Sequence, residues 1–275
     1  MGTLYIVATP IGNLEDLSPR AVRIMGEVGL IAAEDTRRTR KLLSYFKIST
    51  SLTSYFDHNK IKKLDTILSA LSSGDVALVS DGGMPTISDP GYQLVRSALE
   101  SGYKVLPVPG PSALLAALSV SGLPTDAFVY LGFLPRKSSE RKRVLSDNSA
   151  DERTLVFFES PHRLLDCLTD IETELGNRPI AVGRELTKMH EEVFRDDVRS
   201  AIVHYNNSGV QGEVTLVVGG RPKALVNKWN NDQTLTYLKA CVQSGKTLSE
   251  ASKEVAKKSG WSRKDVYSLG LQDKF

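Results

Sequence analysis

Short apolar runs alternate with amphipathic stretches along the first half of this chain, and that alternation constrains the fold more than any other feature. LYIVA, LIAAE, SLTSYF, DVALVS and YKVLPV read as strands, and the segments between them carry helical spacing. Ser18-Pro19 opens one helix, TRRTRKLLSYF and KIKKLDTILSALSSG supply two more, and Ser112 caps the apolar ALLAALSVSGL. This order implies a mostly parallel, doubly wound sheet. In such sheets ligands sit beyond the carboxyl ends of the strands. Three turn-rich loops fall there: TPIGN (9–13), SDGGMPTISDPG (80–91) and PVPGPSA (107–113). Within the second loop, Asp89 and Pro90 match a helix start, with Gly102 past that helix's end. Gly82-Gly83-Met84-Pro85 is not explained by the turn; its bare backbone suits the close approach of a ligand.

The segment GFLPRKSSERKR (132–143) is a linker candidate, with a proline, small polar residues and clustered Arg/Lys. Beyond it RTLVFFES, PIAVGREL, EEVFRD and GEVTLVVGG read as strands around a long helix, PHRLLDCLTDIETELG. The expected organisation is therefore an N-terminal α/β domain at 1–131, a second α/β domain at 132–223 and a helical tail at 224–275. The formal net charge of the chain is only +3, yet the tail holds nine Lys/Arg against five Asp/Glu. That excess suits a polyanionic partner or a solvated helical surface. TLSE (247–250) and SRKD (262–265) match the capping-box pattern, so the tail ends in two short helices joined by a turn, a helix-turn-helix candidate.

Several classes drop out. GxGxxG, GxxxxGK[ST] and GxSxG are all absent, which disfavours the usual dinucleotide fold, the phosphate loop and the nucleophile elbow. The four histidines lack metal-ligand spacing, so no metal is expected. Cys167 falls on the apolar face of a helical pattern and Cys241 is distant from it, which points to a reducing cytoplasm rather than a disulfide framework. The N-terminal apolar run is too short for a signal peptide or a membrane span.

ATPIGNLEDLSPRA, AAEDTR, LVSDGGMPTISDPG, PVPGPSALLAAL and VFFESPHR occur in one order over residues 3 to 220. Together they resemble the tetrapyrrole methylase superfamily of S-adenosylmethionine-dependent enzymes, and within it the branch acting on small-subunit ribosomal RNA. The resemblance implies two α/β domains with the methyl donor in the cleft between them, in a homodimer. It places the donor against Gly82, Gly83 and Met84, with Ile87 nearby, and against Ser112, Ala113, Glu159, Pro10 and Leu186. Where many relatives carry Thr or Asp this chain has Met84, so a backbone contact survives there but a side-chain hydrogen bond does not.

The resemblance further implies methyl transfer to the ribose 2′-hydroxyl of a cytidine in the decoding region, on rRNA or the 30S particle. Such a transfer needs in-line alignment and a base for a weakly acidic hydroxyl. Asp35 beside Glu34, His58 within Asp57-His58-Asn59, and Glu185 with Lys188 are the candidates. Asp35 equally suits a helix cap, and His58 a helix start. Arg37, Asn59 and Arg163 are candidate substrate contacts, although His162-Arg163 also fits a turn-orienting role. Arg37, Arg38, Arg40 and Lys41 span one helical turn and cannot all face inward. Arg136, Lys137, Arg141, Lys142 and Arg143 form an RNA-facing flap or a charged linker. A tetrapyrrole or protein methyltransferase and a non-catalytic RNA-binding assembly factor are the rival functions.

Overall fold

The computed structural model describes residues 2–56, 60–222 and 229–273. They form two compact units, Met1–Arg221 and Pro222–Phe275. The first carries two five-stranded sheets.

The first sheet contains β1 (Thr3–Val7), β2 (Leu30–Ala33), β3 (Leu52–Ser54), β4 (Val76–Val79) and β5 (Lys104–Val108), in the order β3-β2-β4-β1-β5. Every pairing is parallel, as the alternation required. The period of two divides each strand between two cores. Ala77 and Val79 pack on one face with Ile24, Met25 and Leu43 of α1 (Pro19–Glu27) and α2 (Thr36–Tyr45). Val76 and Leu78 pack on the other with Ile67, Leu71, Leu94 and Ala98 of α3 (Lys60–Ser73) and α4 (Tyr92–Glu100). Burial on both faces explains why these strands are nearly continuous apolar runs. The Ser18 hydroxyl accepts from the Ala21 N–H (3.1 Å) with Pro19 in the first turn, so α1 begins where the sequence indicated.

The second sheet has the order β6-β7-β10-β8-β9, from β6 (Phe128–Phe133), β7 (Thr154–Glu159), β8 (Pro179–Arg184), β9 (Glu192–Asp197) and β10 (Val214–Val218). Only β6 and β7 run parallel; the other pairs are antiparallel. One face is covered by α6 (Ser138–Asp147), α7 (Leu164–Leu175) and α8 (Val198–Ser208), with Cys167 fully buried among Leu164, Leu168 and Ile171. The other face is covered by α5 (Ala113–Val120), whose Leu114, Ala117 and Leu118 pack on Val156, Ala181 and Val217.

The linker expectation at 132–143 is corrected here. Gly132 and Phe133 close β6, and residues from Ser138 onward belong to α6. Arg141 faces neither RNA nor water: it is 3% exposed, with Nη2 2.6 Å and Nε 2.7 Å from Asp170 Oδ2. Lys137 pairs with Glu140 and Lys142 with Asp170, so much of the basic run is neutralised locally.

The second unit is a small bundle of α9 (Asn231–Gln243), α10 (Leu248–Ser259) and α11 (Arg263–Gln272) around Leu238, Cys241, Ala251, Val255 and Val266. The Thr247–Glu250 capping box forms in full. At α11 only the Ser262 half forms, accepting from the Asp265 N–H at 3.1 Å. Gly260, in the left-handed region at φ 71°, makes the short turn between them. Lys239 pairs with Asp273, and Lys246 and Lys258 with Glu254, leaving less of the unit's positive charge unspent. Among the described residues no helix is long and apolar enough to cross a membrane.

Candidate active site

In the first sheet, β1 lies between β4 and β5, so chain direction across the sheet reverses beside it. The loops leaving β1 and β4 therefore diverge and open a crevice. They are stitched at one point: the Thr9 N–H donates to Gly83 O (2.9 Å), and the Gly83 N–H donates to Thr9 O (2.8 Å). Gly83 has φ 87°, where a side chain would be strained. A Cβ on Gly82 would lie 3.2 Å from Pro10 O. Gly83 is thus demanded by its backbone conformation, whereas a side chain at Gly82 would need the Pro10 carbonyl to give by a few tenths of an ångström.

The crevice is a cleft of about 610 Å³. Pro10, Gly82, Gly83, Met84, Ile87, Ser112, Ala113 and Glu159 all line it, so the three strand-end loops and the end of β7 do converge. Leu186 does not. It is 8% exposed and packs under α5 with Leu114 and Leu118, and its apolar side chain is spent on that core. Ser112 caps α5, so the positive end of that helix opens at the cleft wall.

The lining is rich in acid: Glu34, Asp81, Asp89, Glu159 and Glu213 stand against Arg38 and Lys188. Glu159 is wholly enclosed and held by Arg163, whose Nε and Nη2 donate to its two oxygens at 2.8 and 2.7 Å. Arg163 also donates to Leu134 O (3.1 Å) and is absent from the cleft lining, so its guanidinium is committed within the fold. Lys188 is bound by Glu185 (2.7 Å) and Glu213 (3.3 Å). Asp81 accepts from the Asp35 N–H (3.1 Å) and pairs with Arg38 (3.3 Å), while Glu34 Oε2 accepts from the Asp81 N–H (3.3 Å). Burial raises the Asp81 carboxyl above its ordinary range.

Asp89 is not the helix cap its sequence context suggests. The helix starts at Tyr92 with Gly91 as its uncapped N-cap, because Gly91 at φ 147° turns the chain where a Cβ would strike Leu78 and Thr86. Asp89 is left half-buried in the cleft, pushed up to about 6 by burial first and then by the Glu34 and Asp81 charges. Its position in the loop after the fourth strand was the signal for it.

Asp35, by contrast, is the cap of α2. Its Oδ1 accepts from the Arg37 N–H (2.8 Å), and the Arg37 Nε and Nη2 close on Oδ1 and Oδ2 at 3.1 and 2.8 Å. The Arg37 guanidinium holds this carboxyl well below the usual carboxylate range. Neither Asp35 nor Arg37 lines the cleft. Of the neighbouring basic residues, Arg38 turns toward it. His58 and Asn59 lie outside the described residues. Among the described residues no cluster of His, Cys, Asp and Glu has metal-binding geometry.

A parallel sheet with a glycine-walled, acid-lined cleft at its switch point, backed by a second mixed sheet, defines a two-sheet α/β protein with a ligand cleft at its strand ends. The model of tetrapyrrole (corrin/porphyrin) methylases matches residues 3–202. A protein of Halalkalibacterium halodurans named ribosomal RNA small subunit methyltransferase I is 44% identical over 99% of this chain and 96% of its own. One of the same name from Thermotoga maritima is 49% identical, with all of its length matched by 80% of this chain. A uroporphyrin-III C-methyltransferase from Thermus thermophilus, solved with S-adenosylhomocysteine, superposes at a TM-score of 0.54 and 19% identity, over 80% of this chain and 97% of its own. The chain belongs to the tetrapyrrole methylase family, in the branch called ribosomal RNA small subunit methyltransferase I.

Proposed function

We propose that this chain is an S-adenosylmethionine-dependent methyltransferase acting on the ribose 2′-hydroxyl of a cytidine in the decoding region of small-subunit ribosomal RNA. The observation that carries this reading is the cleft, bare of side chains at Gly82-Gly83 and lined by acids, in a chain of this family. A sulfonium donor is a cation, and an acidic wall attracts it. The open N-terminus of α5 suits its carboxylate. Pro10, Gly82, Gly83, Met84, Ile87, Ser112 and Ala113 would hold the donor, whose chemistry is an already activated methyl group. Glu159 shapes the cleft floor through its buried pair with Arg163.

The protein's remaining task is to orient the hydroxyl and remove its proton. Asp89 is the residue suited to this, because a base works best with a pKa near the working pH. Its carboxylate would accept the 2′-hydroxyl proton as the ribose oxygen takes the methyl group and the donor's sulfur–methyl bond breaks, with the neutral thioether as leaving group. Asp35, tied to Arg37, is too weak a base for that step. In this reading the strand-end loops of the first sheet and the ends of β6, β7 and β10 in the second supply the two walls, and 224–275 adds RNA affinity in a cytoplasmic homodimer. Tyr92 and Leu99, exposed seven residues apart on one face of α4, support a subunit contact. Incubating the purified protein with methyl-labelled donor and undermethylated small subunits, then mapping the label by nuclease digestion and mass spectrometry, tests the proposal. Label on a base, or none on rRNA, rejects it.

A further inference from the structure

Beside the cleft lies a second recess of about 310 Å³, and the two share Pro10, Gly12, Arg38 and Asp81 as a common wall. Arg38, Lys41, Leu42 and Tyr45 of α2 line it, at the spacing that puts them on one helix face. Leu14 lies across from them. Two features set this recess apart from ordinary surface. Tyr45 is 63% exposed, an aromatic ring left in water, and it is steadied edge-on by Phe46 at a centroid distance of 4.9 Å. Among the described residues Lys41 has no ion-pair partner, and the Arg38 guanidinium has one, Asp81 at 3.3 Å, while remaining two-thirds exposed.

An exposed aromatic ring flanked by two cations is the pattern by which proteins hold unpaired nucleotides. The base stacks on the ring and the phosphate meets the cations. We infer that this recess is a subsite for single-stranded RNA, taking the nucleotide adjacent to the one whose ribose occupies the cleft. Its base lies on Tyr45 and Leu14, and its phosphate is held by Arg38 and Lys41. The shared Arg38–Asp81 wall then marks the step from one nucleotide to the next. The inference rests on the reading of the cleft as an RNA methylation site. It explains why the basic run of α2 divides as it does, with Arg37 spent on Asp35 and Lys41 left without an ion-pair partner among the described residues.

The test is direct binding of a fluorescent single-stranded hexaribonucleotide to the full-length protein, read by anisotropy across a salt series, with methyl transfer measured separately. Tyr45→Ala is expected to weaken binding about 10-fold and Tyr45→Trp to restore it, since stacking tolerates any aromatic ring. Lys41→Gln should flatten the slope of log affinity against log salt by about 0.7, one phosphate contact on a single strand. Donor affinity, followed by calorimetry, should not move in any variant. Unchanged RNA affinity in Tyr45→Ala together with an unchanged salt slope in Lys41→Gln overturns the subsite, as does a wild-type protein that binds no RNA. A wild-type protein that binds RNA through Tyr45 yet transfers no methyl group to rRNA would leave the subsite standing and reject the function of the cleft.

Discussion

Replacing Asp89 with asparagine separates a catalytic carboxylate from a structural one, because the two readings predict opposite effects on stability. The group rises from an ordinary 3.8 to about 6 in the folded protein. About two units correspond to roughly 3 kcal/mol at 1.36 kcal/mol per unit. Asp89 is only half-buried, so solvent screening reduces this to about 1–2 kcal/mol. The sign follows from linkage. Below the unfolded value of 3.8 both states hold the proton and nothing is lost. Between 3.8 and about 6 the folded state keeps a proton that the unfolded state releases, so stability falls as pH rises, and the full cost stands above about 6. Asparagine has no proton to lose. At pH near 7.5, Asp89→Asn should therefore melt about 2–6 °C above the wild type, and the two curves should converge near pH 4. Methyl transfer in single turnovers should fall by about 100-fold or more, and wild-type kcat/KM should climb with pH through about 6. Differential scanning fluorimetry across pH and rapid-quench methyl transfer supply both readings. Near-normal turnover in the variant removes Asp89 from catalysis. A variant less stable at neutral pH would show that the carboxylate is favourably engaged rather than desolvated.

Asp35→Asn should stay folded and transfer methyl groups near the wild-type rate, whereas Asp35→Ala should melt earlier with similar activity, since the residue caps α2 outside the cleft; kinetics and melting of the pair check this. Gly83→Val places a β-branched residue at φ 87° beside the Thr9 bridge, costing about 1–3 kcal/mol and at least tenfold in donor affinity, measurable by urea titration and calorimetry. Deleting Pro222–Phe275 should leave 1–221 folded and donor binding intact while flattening the salt dependence of rRNA binding, read by filter binding. Asp170→Asn leaves Arg141 buried without its countercharge and should cost about 3–5 kcal/mol in chemical denaturation.

The first sheet was legible because each of its signals is local: the strand period, the Ser18 and Ser112 caps and the glycines at strand ends all act within a few residues. The convergence of the three loops followed from chain direction alone. What misled was also local. Ser-Asp-Pro-Gly reads as a helix start, and only the packing of Gly91 against Leu78 and Thr86 moves the start to Tyr92 and leaves Asp89 in the cleft. Arg141 reads as one more residue of a solvated run, because its partner Asp170 is 29 positions away. Leu186 carried no sign that its side chain would be spent on the α5 core. The β6 strand went unread because its weakly alternating FVYLGF carries Gly132, at φ 64°, inside it.

The placement of α5 limits how this protein can handle a large substrate. Its first turn forms part of the cleft wall attached to the first sheet, while Leu114 and Leu118 are buried against the second. Swinging the two sheets apart would bare both leucines to water, at about 1.5–3 kcal/mol each. The helix thus acts as a fixed spacer, and the mouth of the cleft has a set gauge. Admission then falls to the short loops that reach the cleft at Ser88 and Lys188, in which Thr86, Ser88, Glu185 and Thr187 already sit at positive φ. Under the proposed function, an RNA strand would have to be peeled to a width this gauge accepts, and selectivity would begin with how readily the strand's own structure lets one nucleotide out.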